Sequence, residues 1–193
     1  MAKKKTNPGK VNVLLGVSGG VAAYKAVDLA SKLTGAGVKV QTVMTKNACE
    51  LIGPKSFEAV TCARVFTDLW SSCEEYEIGH IALVDWADII VVAPATANTI
   101  GKLANGICDD LLSTILCACW NKQILIAPAM NENMWLNPAV GWNVKTMTEM
   151  GIATIGPVKG RLACGSEGIG RMAEVEDITE AIKKITSKRK TKK

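Results

Sequence analysis

Residues 88–94, "DIIVVAP", and 123–128, "QILIAP", decide the fold. Each is a continuous, β-branched apolar run with no polar alternation, which is what a parallel strand covered on both faces requires. Working outward, "VNVLLGV" (11–17) is a similar run ending in "SGG", and "VAAYKAVDLASKLTGAG" (21–37) has helical spacing with a glycine stop. "VKVQTVM" (38–44) alternates and leads through Thr45 into "KNACELI", and "AVTCARVF" (59–66) is expected to form a third strand. Between the two deciding runs, "TANTIGKLANGICDDLLSTILCACW" (96–120) predicts one or two helices broken near Gly106. A helix over 138–150, a strand at "IATIGP" (152–157) and a helix from about Asp177 complete the set. The expectation is an α/β, doubly wound, flavodoxin/Rossmann-like three-layer sandwich with a parallel sheet, formed as a single domain over 1–193.

Composition narrows the function classes. With 193 residues and 48% hydrophobic content the chain suits one domain with a full-sized core. No apolar run approaches the roughly 18–20 residues of a membrane span, and no h-region follows the Lys-rich start, so no membrane role is expected. The formal charge of +5 comes from the ends: four lysines fall in 1–10 and five Lys/Arg in 188–193. Without these nine, 14 basic residues face 18 acidic ones. The two basic tails read as disordered, solvated ends. An acidic folded part with 5% aromatics argues against a nucleic-acid partner. Seven cysteines without a CxxC pair fit reduced thiols in a cytoplasm, most of them as core filler. A single histidine argues against zinc.

In doubly wound folds ligands bind beyond the carboxyl ends of the strands. At "GVSGGVA" (16–22), Ser18, Gly19 and Gly20 lie between a strand and a helix N-terminus. That turn either receives a phosphate on free N–H groups or is an ordinary tight βα connection. Its G-x-x-G-G spacing matches neither the dinucleotide fingerprint nor the P-loop. "PATANT" (94–99) offers hydroxyls and an amide at a second helix start, and Ser113 and Thr114 recur on the next helix. Such an uncharged, donor-rich lining suits a flavin, although an N-cap alone would account for Thr96. His80 follows a long polar segment (67–78), and histidine is the side chain that titrates near neutrality. "RLACGSEGIG" (161–170) reads as a Gly-rich loop too long for a tight turn. Its Cys164, beside Arg161, is either a small loop residue or a thiol able to act as proton donor or nucleophile.

Together "SGGVAAYKA", "HIALVDWAD", "APATANTIGKLANGICDDLLST", "PAMNENMW" and "LACGSEGIGRMAE" resemble, in the same order, the homo-oligomeric flavin-containing cysteine decarboxylases. The resemblance covers about residues 11–180. It implies FMN as cofactor, held by Ser18, Gly19, Gly20 and Val21, by Thr45, Lys46 and Asn47, by Thr96, Ala97, Asn98 and Thr99, and by Ser113 and Ala129. It implies His80 and Cys164 as catalytic residues, Asn131 as the grip on the substrate carboxylate, and Arg161, Leu162 and Ala163 as a clamp over a small-molecule substrate. The implied activity is loss of CO2 from 4′-phosphopantothenoyl-L-cysteine in coenzyme A biosynthesis. Oxidative decarboxylation of a peptide's C-terminal cysteine, or an FMN-binding regulatory role, are the alternatives. Family members build from trimers with the active site shared between subunits, which implies a homo-oligomer here. Two departures stand out: Ser166 replaces the family's Asp after the A-C-G, and the chain carries no ligase domain after the decarboxylase-like part.

Overall fold

The computed structural model describes residues 11–70, 79–163 and 165–190, with side chains through Ser187. Six strands form one parallel sheet: β1 (Asn12–Val17), β2 (Lys39–Met44), β3 (Val65–Phe66), β4 (Ile89–Ala95), β5 (Gln123–Pro128) and β6 (Ala153–Thr154). Their spatial order is β3-β2-β1-β4-β5-β6, so the chain reverses direction across the sheet between β1 and β4. Of the two doubly wound orders, this is the Rossmann one.

Both faces of the sheet are covered, as the unbroken apolar runs require. Val13, Leu15, Val17, Ile89, Val91 and Leu125 point to one core, which also takes in Leu29 and Leu33 of α1 (Ala23–Gly35), Phe57 of α3 (Pro54–Thr61) and Ile178 of α9 (Val175–Lys190). Leu14, Ile90, Val92, Ile124 and Ile126 point to the other. There they meet Leu83 of α4 (Gly79–Trp86), Ile100 of α5 (Ala97–Asn105), Leu112 and Ile115 of α6 (Leu111–Ala118) and Met147 of α8 (Pro138–Glu149). The β4–β5 register slips between Val92 and Ala95, around Pro94, which has no N–H to offer a ladder.

Several expectations need correction. Residues 59–61 are the end of helix α3, not a strand; Gly53 and Pro54 start that helix, and it stops at Cys62, whose φ is 52°. Proline at the first helical turn is preorganised for a helix, and this start signal outweighs the apolar run that follows. Only Val65 and Phe66 pair with β2. Half of segment 161–170 is strand rather than loop: β7 (Val158–Arg161) and β8 (Glu167–Arg171) form an antiparallel hairpin outside the main sheet. The last helix starts at Val175 and its backbone continues to Lys190, through the first residues of the expected C-terminal tail. Among the described residues the cysteines are not mostly core: Cys119 is buried and Cys49 half-buried, while Cys62, Cys108 and Cys117 are exposed. Burial pushes the Cys119 thiol up to about 12, so it stays a neutral packing group. Among the described residues, no helix is long and apolar enough to cross a membrane.

Candidate functional site

The strand carboxyl ends open into a cleft of about 1090 Å³, at the upper end of the roughly 300–1,000 Å³ usual for small-ligand sites. It lies over the β1/β4 reversal, where two neighbouring connections leave the sheet in opposite directions and part to leave a crevice.

One wall is made by three strand-end turns locked to each other. Ser18, 1% exposed, donates its Oγ hydrogen to the Pro94 carbonyl at 2.8 Å and accepts the Thr96 N–H at 2.9 Å. Its hydroxyl therefore joins the β1 turn to the β4 turn. Thr96 in turn caps α5 through a bond from the Thr99 N–H, and Thr45 caps the short α2 (Lys46–Cys49) through the Ala48 N–H. Gly19 lies against Asn47 so closely that a Cβ there would overlap the Asn47 Cβ and come within 2.9 Å of its backbone carbon. Helix α1 differs from α2 and α5. Its N-cap, Ala22, makes no side-chain bond, and although the Gly20 N–H bonds the Ser18 carbonyl, the Gly19–Val21 turn lies at the positive end of a 13-residue helix.

The other wall is built on β5 and the hairpin. Asn131 caps α7 (Glu132–Trp135), its Oδ1 accepting from the Asn133 N–H at 2.9 Å. The Met130 N–H donates to the Gly170 carbonyl at 2.9 Å and docks β8 onto this turn. Arg161, Leu162 and Ala163, at the end of β7, close the cleft from above.

Nearly all of the expected binding residues meet here. Ser18, Gly19, Gly20, Val21, Thr45, Lys46, Asn47, Thr96, Asn98, Thr99, Ala129, Asn131, Arg161, Leu162 and Ala163 all line the cleft. Ala97 and Ser113 do not. Ser113 is 3% exposed and belongs to a capping box with Asp110 at the start of α6, so its hydroxyl serves the helix. His80 sits in the first turn of α4, half-buried, and does not line the cleft of its own chain. Because α4 returns from the edge strand to the start of β4, that first turn is nevertheless at the carboxyl-end side of the sheet. Cys164 lies outside the described residues.

Lys25, Lys102, Asp110 and Arg171 also line the cleft and were not anticipated from the sequence. Lys102 reaches Asp109 and Asp110, each at 2.6 Å. Burial pulls its pKa down, but the two carboxylates outweigh that and hold it raised. The Lys102 ammonium in turn holds the Asp109 carboxyl below its usual range. Lys25 and Arg171 share Glu174 at 3.1 and 2.7 Å. Lys46 and Arg161 have no ion-pair partner among the described residues, which leaves cationic groups at the β2 turn and the hairpin. The signal for these residues was weak, because a lysine one turn into an amphipathic helix looks the same whether it faces solvent or a cleft. No group of three or more His, Cys, Asp or Glu among the described residues could hold a metal ion.

The flavoprotein family model matches residues 1–187. The chain is 49% identical over 173 residues to the coenzyme A biosynthesis bifunctional protein CoaBC of Bacillus subtilis, covering 90% of this chain and 42% of that protein. It thus spans about two fifths of that relative's length. Among solved structures it resembles a cysteine-to-serine mutant of PPC decarboxylase complexed with pantothenoylaminoethenethiol, with TM-score 0.85, 39% identity and coverage of 91% and 98% of the two chains. It also resembles the FMN binding protein AtHal3, with TM-score 0.81, 39% identity and coverage of 91% and 96%. With the family model matched over nearly its whole length, the chain belongs to the flavoprotein family.

Proposed function

We propose that the chain binds FMN and decarboxylates 4′-phosphopantothenoyl-L-cysteine to 4′-phosphopantetheine, acting as a carboxy-lyase of coenzyme A biosynthesis. The observation that carries this reading is that Asn131, the Gly19–Gly20 turn and Arg161–Ala163 all line one cleft. The donor set suits FMN. The uncapped start of α1, the amide of Asn98 and the unpaired Lys46 favour an anionic, hydrogen-bonding ligand over a cationic or purely apolar one. Bound FMN supplies the hydride acceptor and donor that redox-neutral loss of CO2 from a cysteine amide requires.

The protein's own residues would orient and exclude. Asn131 caps α7 through its Oδ1 and would meet the substrate carboxylate with an amide. An amide grips the carboxylate without the fixed positive charge that would stabilise the anion and oppose CO2 loss. Arg161, Leu162 and Ala163 would keep water from the reacting carbon. Cys164 would supply the proton that completes the product.

His80 would act as acid/base from a neighbouring subunit, in a homotrimer whose active sites lie between subunits. Trp70, Trp120, Leu136 and Trp142 are 66–86% exposed, an apolar surface that such an assembly would cover. Cytoplasmic location fits a biosynthetic enzyme with exposed thiols.

The test is to load the purified, assembled protein with FMN, add 4′-phosphopantothenoyl-L-cysteine and follow 4′-phosphopantetheine by mass. Product formation is expected, and its absence from fully loaded trimer would overturn the reading. Release of an enethiol by the wild-type protein would instead support decarboxylation of peptidyl cysteine.

A further inference from the structure

Glu132 lies beside Asn131 in the first turn of α7, and it faces the hairpin rather than the cleft lining. Its Oε1 accepts the backbone N–H of Ile169, in the middle of β8, at 2.9 Å. Gly168, the preceding residue, has no side chain where the Glu132 carboxylate passes; a Cβ there would stand 2.5 Å from the carboxylate carbon. Two residues on, a Cβ at Gly170 would collide with the Met130 carbonyl oxygen. Close approach of the hairpin to the Asn131 turn thus depends on two glycines, one backbone bond and one carboxylate.

We propose that Glu132 is a positioning residue for the decarboxylation proposed above: its carboxylate bolts hairpin β7–β8 to the turn carrying Asn131, setting the distance between the carboxylate grip and the covering residues. The inference rests on that reading for its kinetic consequence, but the bolt itself is a property of the fold. A carboxylate is a stronger acceptor for a backbone N–H than a neutral oxygen, and shortening the side chain removes this bond. Met130 still bonds Gly170 in that case, so the hairpin loosens without leaving. The β1 and β4 turns that would hold FMN are not touched by the bolt.

Three variants of the FMN-loaded protein test this: Glu132→Ala, Glu132→Gln and Gly168→Ala. Peptides covering 167–172 are followed by hydrogen exchange, and KM and kcat are measured with 4′-phosphopantothenoyl-L-cysteine. In Glu132→Ala, exchange is expected to rise about tenfold or more, as loss of a charged hydrogen bond implies. KM should rise about tenfold, kcat should change less, and flavin content should stay that of wild type. Gly168→Ala should do the same by displacing the carboxylate. Glu132→Gln, which keeps an acceptor oxygen, should restore most of the protection and most of the KM. Wild-type exchange in Glu132→Ala overturns the bolt, and faster exchange with unchanged KM overturns the positioning role. If the wild-type protein shows no turnover, the decarboxylase reading falls while the exchange result still decides the bolt.

Discussion

On its β1–β4 side the cleft is tied together by a buried hydroxyl, whereas on its β5–hairpin side it is tied in part by side chains at the surface. Ser18 is 1% exposed and bonds both the Pro94 carbonyl and the Thr96 N–H; Asn131 is exposed and Glu132 half-buried. A buried polar lock is costly to open, because each group left unpaired loses a partner without regaining water. A bond at the surface can be exchanged for water at little cost. The first wall is therefore a preformed seat, and the second can shift by small amounts without disturbing the core. That division suits a site that keeps its cofactor and exchanges its substrate.

The most damaging way to test the division is Gly19→Ala. The added Cβ meets the Asn47 Cβ and backbone rather than a flexible side-chain end, so the β1 and β2 turns must part. Overpacking of this kind costs about 1–3 kcal/mol. The purified variant is expected to be less stable by that amount in urea unfolding and to lose its yellow colour and turnover together. Retention of flavin with wild-type stability would show that the seat is not rigid.

Asn131→Ala should separate the two walls. Flavin absorbance is expected to remain, while turnover falls about a hundredfold or more, in the range of one lost transition-state hydrogen bond in a closed site. The lost N-cap should lower stability by only about 1 kcal/mol. If flavin content falls in step with turnover, the walls are one unit and the comparison fails.

The smallest effect concerns pH at the rim. The folded pKa of Asp109 is held down by its bond to Lys102, so its contribution to stability is present above the unfolded value, about 3.9, and is lost as pH falls through the folded one. Denaturation midpoints of wild type and Asp109→Asn should differ slightly from pH 5 to 8 and converge well below pH 4. Parallel curves down to pH 2 would remove Lys102–Asp109 as the cause. Since Asp109 is exposed, the difference should also shrink with added salt.

Much of this architecture was legible in the chain because it is written locally. The runs at 12–17, 89–95 and 123–128 are unbroken and end in turn residues, and those turns are where the cleft opens. The misread places are those where one local pattern has two physical uses. Ser113 sits in the first turn of a helix, as a binding hydroxyl can, yet it completes a capping box. "VKGR" and "EGIGR" lack the alternation of a half-buried strand, and glycine is a poor strand former; their pairing depends on docking against Met130 and Glu132. Glu132 itself looks like an ordinary acid in the first turn of a helix.

By itself the sequence determined the layered α/β class and the strand ends at which to look, since hydrophobic period and turn chemistry act over a few neighbours; the full group of binding residues came from the family resemblance. Only the tertiary structure decided the Rossmann strand order, which hydroxyl locks the β1 turn to the β4 turn, and how the hairpin is held to the Asn131 turn. Those depend on distances between residues 37 to 78 positions apart, such as Ile169 to Glu132 and Thr96 to Ser18, and no local pattern encodes them.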